Sequence, residues 1–217
     1  MLQDLEAGKG VAFQTCGIPN RQAETLRPLF ADSMNPWVEK RRKEFLAGRW
    51  CVQQCYGKLG IETSLPGIQE NRSPAWPKGV IGSISHCDDL ALAVVALDHD
   101  VSLIGVDVES VRVMARMKAE ICDAIATSTE LEIVGKRVQR EAMTLVFSAK
   151  ETLYKALHPK VGQYFDYLDA RVVSIDGTYT ELELLKCLSE DFPASRRFLL
   201  QYRIIDHHVL TLLTETG

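Results

Sequence analysis

What the sequence lacks narrows its class first. No run in it approaches the roughly 18 consecutive apolar residues that a membrane-spanning helix requires. There is no surplus of basic residues: 25 Lys and Arg stand against 29 Asp and Glu, a formal net charge of −4. That balance argues against general nucleic-acid binding, although local basic clusters could still hold a phosphorylated small molecule. No two of the six cysteines form a Cys-x-x-Cys pair. Cys51 and Cys55 are four apart within a helical pattern, which fits packing better than a zinc knuckle. An even number of cysteines could pair in a secreted protein, but the opening Met-Leu-Gln-Asp-Leu-Glu lacks the basic-then-apolar order of a signal segment. A reduced, cytoplasmic protein is the expectation. Low-complexity tracts and repeats of solenoid length are missing as well.

What remains is an ordinary globular composition, 46% hydrophobic and 25% charged, in 217 residues, enough for one domain or two small ones. Residues 1–30 carry little beyond a short apolar patch at Val11 to Phe13. From Ser33 a helix is expected, with Asn35 as N-cap, Pro36 at the first helical position and Gly60 as its stop. Val38, Phe45, Val52, Tyr56 and Leu59 give it an apolar stripe. Residues 61–79 are rich in Pro, Gly and polar side chains and read as a loop bearing Trp76 and Lys78. Segments 80–86, 90–97 and 103–110 follow as strands of a small antiparallel meander. A helical section covers 114–126, a cap stands at Ser128-Thr129-Glu130, and a longer helix runs over 141–157. Four strand-like runs close the chain at 170–175, 179–185, 197–205 and 209–213. The fold class is α+β in two halves of similar kind, 1–101 and 102–217, each of helices followed by a small antiparallel sheet.

The densest chemistry lies in Leu103 to Ser110. Ile104, Val106 and Val108 alternate with Gly105, Asp107 and Glu109, so a strand sets apolar side chains on one face and both carboxylates on the other. Two acids so close repel unless a cation sits between them, and a hard Mg²⁺ prefers oxygen ligands. An amphipathic strand with a solvated acidic face is the plainer reading. In the longer helix, Phe147, Glu151 and Lys155 fall at i, i+4 spacing and share a face. In the first helix, Lys40-Arg41-Arg42-Lys43 is followed by Arg49, and Arg42 and Arg49 lie near one face two turns apart. That face is either solvated or an anion clamp, since the planar guanidinium suits phosphate. His99, His158, His207 and His208 read as structural or exposed, and Met114, Met117 and Met143 as core filler.

Three segments, in this order and spacing, resemble the 4′-phosphopantetheinyl transferases. They are Gly82-Ser83-Ile84-Ser85-His86-Cys87, Ile104-Gly105-Val106-Asp107-Val108-Glu109 and Phe147-Ser148-Ala149-Lys150-Glu151-Thr152-Leu153-Tyr154-Lys155-Ala156. They are similar to the large, monomeric Sfp type rather than the short, trimeric holo-acyl-carrier-protein synthase type. Glu44-Phe45-Leu46-Ala47-Gly48-Arg49 and Trp76-Pro77-Lys78-Gly79 resemble the EntD branch, associated with siderophore assembly lines. The resemblance covers residues 40 to 165 or so, and no acidic or lysine position of it departs from the pattern.

The resemblance implies transfer of the phosphopantetheine arm of coenzyme A to a serine of an apo acyl, peptidyl or aryl carrier protein, releasing adenosine 3′,5′-bisphosphate. It implies two pseudo-equivalent halves with the active site at their junction, coenzyme A contacts in the first and the metal and catalytic residues in the second. Asp107, Glu109 and Glu151 would hold Mg²⁺, with Mn²⁺ also possible, and Glu151 and Lys155 would be catalytic, Glu151 as general base. Arg42, Arg49, Lys78, Ser85, His86, Lys150 and Lys155 would hold coenzyme A. Glu130 aligns with an acidic position near the metal site in relatives and could equally be the capping residue its own context suggests. Glu151 and Lys155 could instead be an ordinary surface pair. No nucleic-acid partner and no transmembrane segment are expected, while peripheral membrane association stays open. The alternatives are a non-catalytic relative that binds coenzyme A or a carrier protein, and another metal-dependent enzyme such as a coenzyme A hydrolase. An inactive relative would be expected to lose at least one of Asp107, Glu109, Glu151 or Lys155, and all are present.

Overall fold

The computed structural model describes residues 8–138 and 140–216; the opening segment read above for a leader lies outside the described residues. In chain order the first elements are β1 (Val11–Gly17), α1 (Ala31–Met34), α2 (Glu39–Leu59), the short β2 (Gly67–Ile68) and β3 (Pro74–Ala75), β4 (Val80–His86), β5 (Leu90–Leu97) and β6 (Leu103–Ser110). Then come α3 (Val111–Met114), α4 (Ala119–Ile125), α5 (Ser128–Gly135), α6 (Ala142–Val161), β7 (Ala170–Asp176), β8 (Tyr179–Leu184), β9 (Arg197–Ile205) and β10 (His208–Glu215). The chain divides into two units, Met1–Ile104 with Glu215–Gly217, and Gly105–Thr214. The fold class is α+β.

In the first unit, β5 is the middle strand of an antiparallel sheet ordered β1-β5-β4, where Leu92 pairs with Thr15 on one side and Ser85 on the other. Its run Leu-Ala-Leu-Ala-Val-Val-Ala-Leu is apolar throughout, and Ala91, Leu92, Ala93, Val94, Val95 and Ala96 are all fully buried, so neither face of this strand is solvated. On one face lies α2, whose Ala47, Cys51, Val52, Cys55 and Tyr56 pack over Ala91, Ala93 and Val95 and over Ala12 and Cys16 of β1. Cys51 and Cys55 are thus core residues. The patch at Val11 to Phe13 is part of an edge strand, which the sparse signal of residues 1–30 concealed. The helix also starts later than expected: the N-cap is Val38, not Asn35. Pro36 has no N–H to offer Asp32, so α1 cannot run on through it, and the chain extends at Val38 before α2 begins. Gly60 does end α2, in the left-handed conformation at φ +66° that glycine adopts without strain.

The expected three-strand meander is corrected at β6. This strand leaves β4 and β5 and forms the edge of a five-stranded sheet ordered β6-β10-β9-β8-β7. The turn before it is tied accordingly: Asp98 N–H bonds Gly79 O at 3.1 Å, and Ser102 N–H bonds Glu215 O at 2.8 Å.

In the second unit, α6 covers the face of β6 that carries the acids. A Cβ on Gly105 would stand 2.3 Å from Thr152 O and 2.9 Å from Ala156 Cβ, so glycine is what lets helix and strand approach this closely. The Thr211 hydroxyl of β10 fixes the helix from the sheet, 2.9 Å from Ser148 Oγ and 2.6 Å from Thr152 Oγ1. Leu145, Val146, Leu153 and Leu157 of α6 are fully buried. The helical section expected over 114–126 is split into α3 and α4, and α6 runs past 157 to Val161, stopping at Gly162. Among the described residues no helix is long and apolar enough to cross a membrane.

Candidate active site

Burial turns the acidic strand from a solvated face into an interior one. Asp107 is 1% exposed, and its Oδ1 accepts from Lys155 Nζ at 2.6 Å. The Lys155 side chain is 26% exposed, so the pair is closed at the acid and open at the ammonium. One helical turn before Lys155, Glu151 accepts a hydrogen bond from the Tyr167 hydroxyl. Burial first, then Glu151, and less strongly Tyr164 and Asp107, push the Tyr167 phenol above the usual tyrosine range, which keeps it a donor. Two carboxylates from different elements therefore act on one hydroxyl. Glu109, two residues beyond Asp107 on the same strand face, is half-exposed.

Asp107, Glu109 and Glu151 offer only carboxylate oxygens, the donor set that suits Mg²⁺ or Mn²⁺. The Lys155 ammonium against Asp107 shows positive charge already drawn to that position. Among the described residues the three carboxylates are not gathered with their oxygens within 4.8 Å of one another. The set fits a hard cation in kind.

Lys150 requires a correction. It is 3% exposed, with Nζ 2.8 Å from both Glu130 Oε1 and Ile125 O. Burial lowers the Lys150 ammonium although Glu130 works to raise it. Neighbouring helix positions differ by ~100°, so Lys150 points into the interior of its unit while Glu151 stays on the half-exposed face. Its ammonium is not presented to a ligand. Glu130, left above between a site residue and a cap, is 2% exposed and fully occupied inside. It closes a capping box with Thr127, accepts from Val172 N–H at 2.9 Å and pairs with Lys150.

The first unit holds a cavity of about 400 Å³ whose walls include Trp37, Arg41, Glu44, Phe45, Arg49, Arg72 and His86. Arg49 is 5% exposed, lies 4.3 Å over the Phe45 ring and donates to Pro66 O at 2.8 Å and Gly67 O at 2.9 Å. Burial, with repulsion from Arg41 behind it, pushes its guanidinium down to about 10, so it stays charged at neutral pH. Arg41 Nη1 is 2.6 Å from His86 Nε2. A guanidinium can only donate, so His86 must accept there as neutral imidazole with its proton on Nδ1. Arg41, Arg49 and Arg72 face a single acid, Glu44, and this excess of positive charge suits a phosphate.

Arg42 is not part of this wall. Its Nε and Nη2 donate to Met34 O at 3.1 Å and Asn35 O at 2.8 Å, closing off the end of α1. Spacing on a cylinder put Arg42 beside Arg49; the carbonyls of Met34 and Asn35 at the end of α1 claim it instead. Lys78 is exposed at the turn before β4 and does not line the cavity. Ser85 is buried on the opposite face of β4 from His86. Sequence reasoning missed Arg41, hidden among four adjacent basic residues, and Tyr167, which is 16 residues beyond Glu151 and has no motif around it.

The model of the 4′-phosphopantetheinyl transferase N-terminal domain matches residues 33–96, and that of the 4′-phosphopantetheinyl transferase superfamily matches residues 103–213. Enterobactin synthase component D of Salmonella typhimurium is 35% identical over 84% of this chain and 76% of its own length. The protein of the same name from Salmonella typhi is 38% identical over 71% of this chain and 64% of its own length. The 4′-phosphopantetheinyl transferase Npt of Nocardia iowensis is 32% identical over 62% of this chain and 60% of its own length. The chain belongs to the 4′-phosphopantetheinyl transferase superfamily.

Proposed function

We propose that this transferase moves the phosphopantetheine arm of coenzyme A onto a serine of an apo carrier protein in siderophore or other nonribosomal peptide synthesis. The assembly-line context rests on the likeness to the enterobactin synthase components. The first unit supplies contacts to coenzyme A phosphates, and the second supplies the metal ligands and catalytic groups. The carrying observation is the buried Asp107 held by Lys155, one helical turn from Glu151, with Glu109 beside it on β6.

Asp107, Glu109 and Glu151 would hold Mg²⁺ or Mn²⁺, which supplies neutralisation of the pyrophosphate charge. Glu151 takes the proton of the serine hydroxyl as the serine oxygen bonds to the pantetheine-bearing phosphorus. The phosphorus–oxygen bond to the nucleotide breaks, and its electron pair leaves on adenosine 3′,5′-bisphosphate. The Tyr167 hydroxyl donates to Glu151 Oε1 and so orients the carboxylate that accepts that proton. Lys155 pairs with Asp107 and stands where charge builds on the leaving group. In the first unit, Arg41, Arg49 and neutral His86 suit the phosphates of coenzyme A.

Chromatography of a reaction with an apo peptidyl carrier, coenzyme A and Mg²⁺ tests this. One adenosine 3′,5′-bisphosphate should appear per carrier, and none with a carrier whose acceptor serine is replaced by alanine. Nucleotide released without any carrier would mean hydrolysis instead. No release with a panel of carriers would leave a binding protein of the same fold.

A further inference from the structure

We infer that Tyr167 is a positioning residue for Glu151, fixing the carboxylate that would face both cation and serine; this rests on the function proposed above. The bond runs from the Tyr167 hydroxyl to Glu151 Oε1. Glu151 alone could not hold one orientation, because it sits on the half-exposed face of α6 with a flexible side chain. Tyr167, by contrast, is built into a rigid turn. The Asp166 carboxylate accepts the Tyr167 N–H at 2.7 Å, and the Asp169 carboxylate accepts the Asp166 N–H at 2.9 Å. Asp169 O in turn accepts the Leu185 N–H at 2.7 Å, which ties the turn to the chain just beyond β8. The aromatic ring rests against Phe147, 5.6 Å between centroids, one helical turn before Glu151. The ring is therefore held by backbone on one side and by α6 on the other.

Phenylalanine would satisfy all of that packing, so the hydroxyl is what Glu151 requires of this position. With Oε1 engaged by Tyr167, the second carboxylate oxygen has a defined direction. Outer partners that orient metal-ligating carboxylates change metal affinity or activity by ~10–100-fold when removed.

The test uses Tyr167→Phe in the full chain, with three readouts. Mn²⁺ binding to the protein alone, followed by the loss of the free-ion electron paramagnetic resonance signal, should weaken about tenfold. Transfer kcat should fall by a similar factor while KM for coenzyme A stays within about twofold. The melting temperature should not move. Wild-type Mn²⁺ affinity and kcat in the variant would overturn the inference. If the variant melts early, a cycle with Glu151→Asp separates the effects: the shorter acid cannot reach the hydroxyl, so Tyr167→Phe should then cost nothing more. Additive losses would make Tyr167 a packing residue only. Tyr167-dependent Mn²⁺ binding in a protein that modifies no carrier would sink the proposed function and leave this inference standing.

Discussion

A charge buried in a protein survives only where something replaces its lost water, and Arg49, Asp107 and Lys150 find three different substitutes. Arg49 has two backbone carbonyls and the Phe45 ring. Asp107 has the half-open ammonium of Lys155, and Lys150 has the enclosed carboxylate of Glu130. The last pair is closed to water at both ends, so Glu130→Gln should cost about 3–5 kcal/mol by leaving a buried ammonium uncompensated. Urea denaturation reads this, and a loss within experimental error would remove the pair from the stability of the unit. Asp107→Ala should behave differently, since Lys155 can turn to solvent: turnover is abolished while the fold persists. Wild-type rates from that variant would take Asp107 out of the metal set. Tyr56 carries the opposite problem, a buried hydroxyl with no hydrogen-bond partner among the described residues. Tyr56→Phe should therefore gain about 1 kcal/mol. Burial also pushes its phenol up to about 12, whereas the unfolded chain ionises near 10. The unfolded state loses that proton first, so the wild type should lose stability as pH rises from about 10 to 12, and Tyr56→Phe should lose less. Urea midpoints at pH 9 and pH 11 check the difference; equal slopes would contradict it.

At the scale of elements, β6 and α6, which carry the proposed catalytic acids, come together because glycine stands at their closest approach. Gly105→Ala places a methyl group 2.3 Å from Thr152 O, and should cost about 1–3 kcal/mol and displace Asp107 from Lys155. A variant that is as stable and as active as wild type would show that the close approach does not matter. The basic face of α2 divides sharply between neighbours. Arg41→Ala should raise KM for coenzyme A several-fold, because Arg41 lines the cavity and holds His86. Arg42→Ala should leave KM unchanged and cost about 1 kcal/mol through the lost carbonyl contacts. The reverse pattern would put the anion clamp where helical spacing alone suggested. That contrast shows what the sequence could and could not disclose. Strands β4, β5, β6 and β9 have the expected bounds because alternation or an apolar run is cut off by turn residues. The identity of the arginine in the cavity depends on the Met34 and Asn35 carbonyls that draw Arg42 away, and the partner of Glu151 lies on a separate turn. Neither leaves a periodic trace. Lys150 failed as an expectation for a related reason: it shares a motif with Glu151 but not a helix face.

For the whole molecule, each unit carries a cluster of charged groups that can be described by itself. The first has a phosphate-suited cavity with more guanidinium than carboxylate, although the chain as a whole has net charge −4. Overall charge thus said nothing about where basic side chains collect. The second unit has the acids: Asp107 is interior, while Glu109 and Glu151 are half-exposed. Motif order and spacing made the family legible, and both family matches fall on the stretches that carried the resemblance. The membership of β1 in the first sheet and of β6 in the second was not legible, because edge pairing is decided by long-range contacts that local pattern does not encode. The measurement that tests the central claim most directly is the intact mass of an apo peptidyl carrier after incubation with this protein, coenzyme A and Mg²⁺. A gain of one phosphopantetheinyl group, lost with EDTA and restored by excess Mg²⁺, is the expected result. An unchanged carrier mass in a sample that still binds coenzyme A would contradict it.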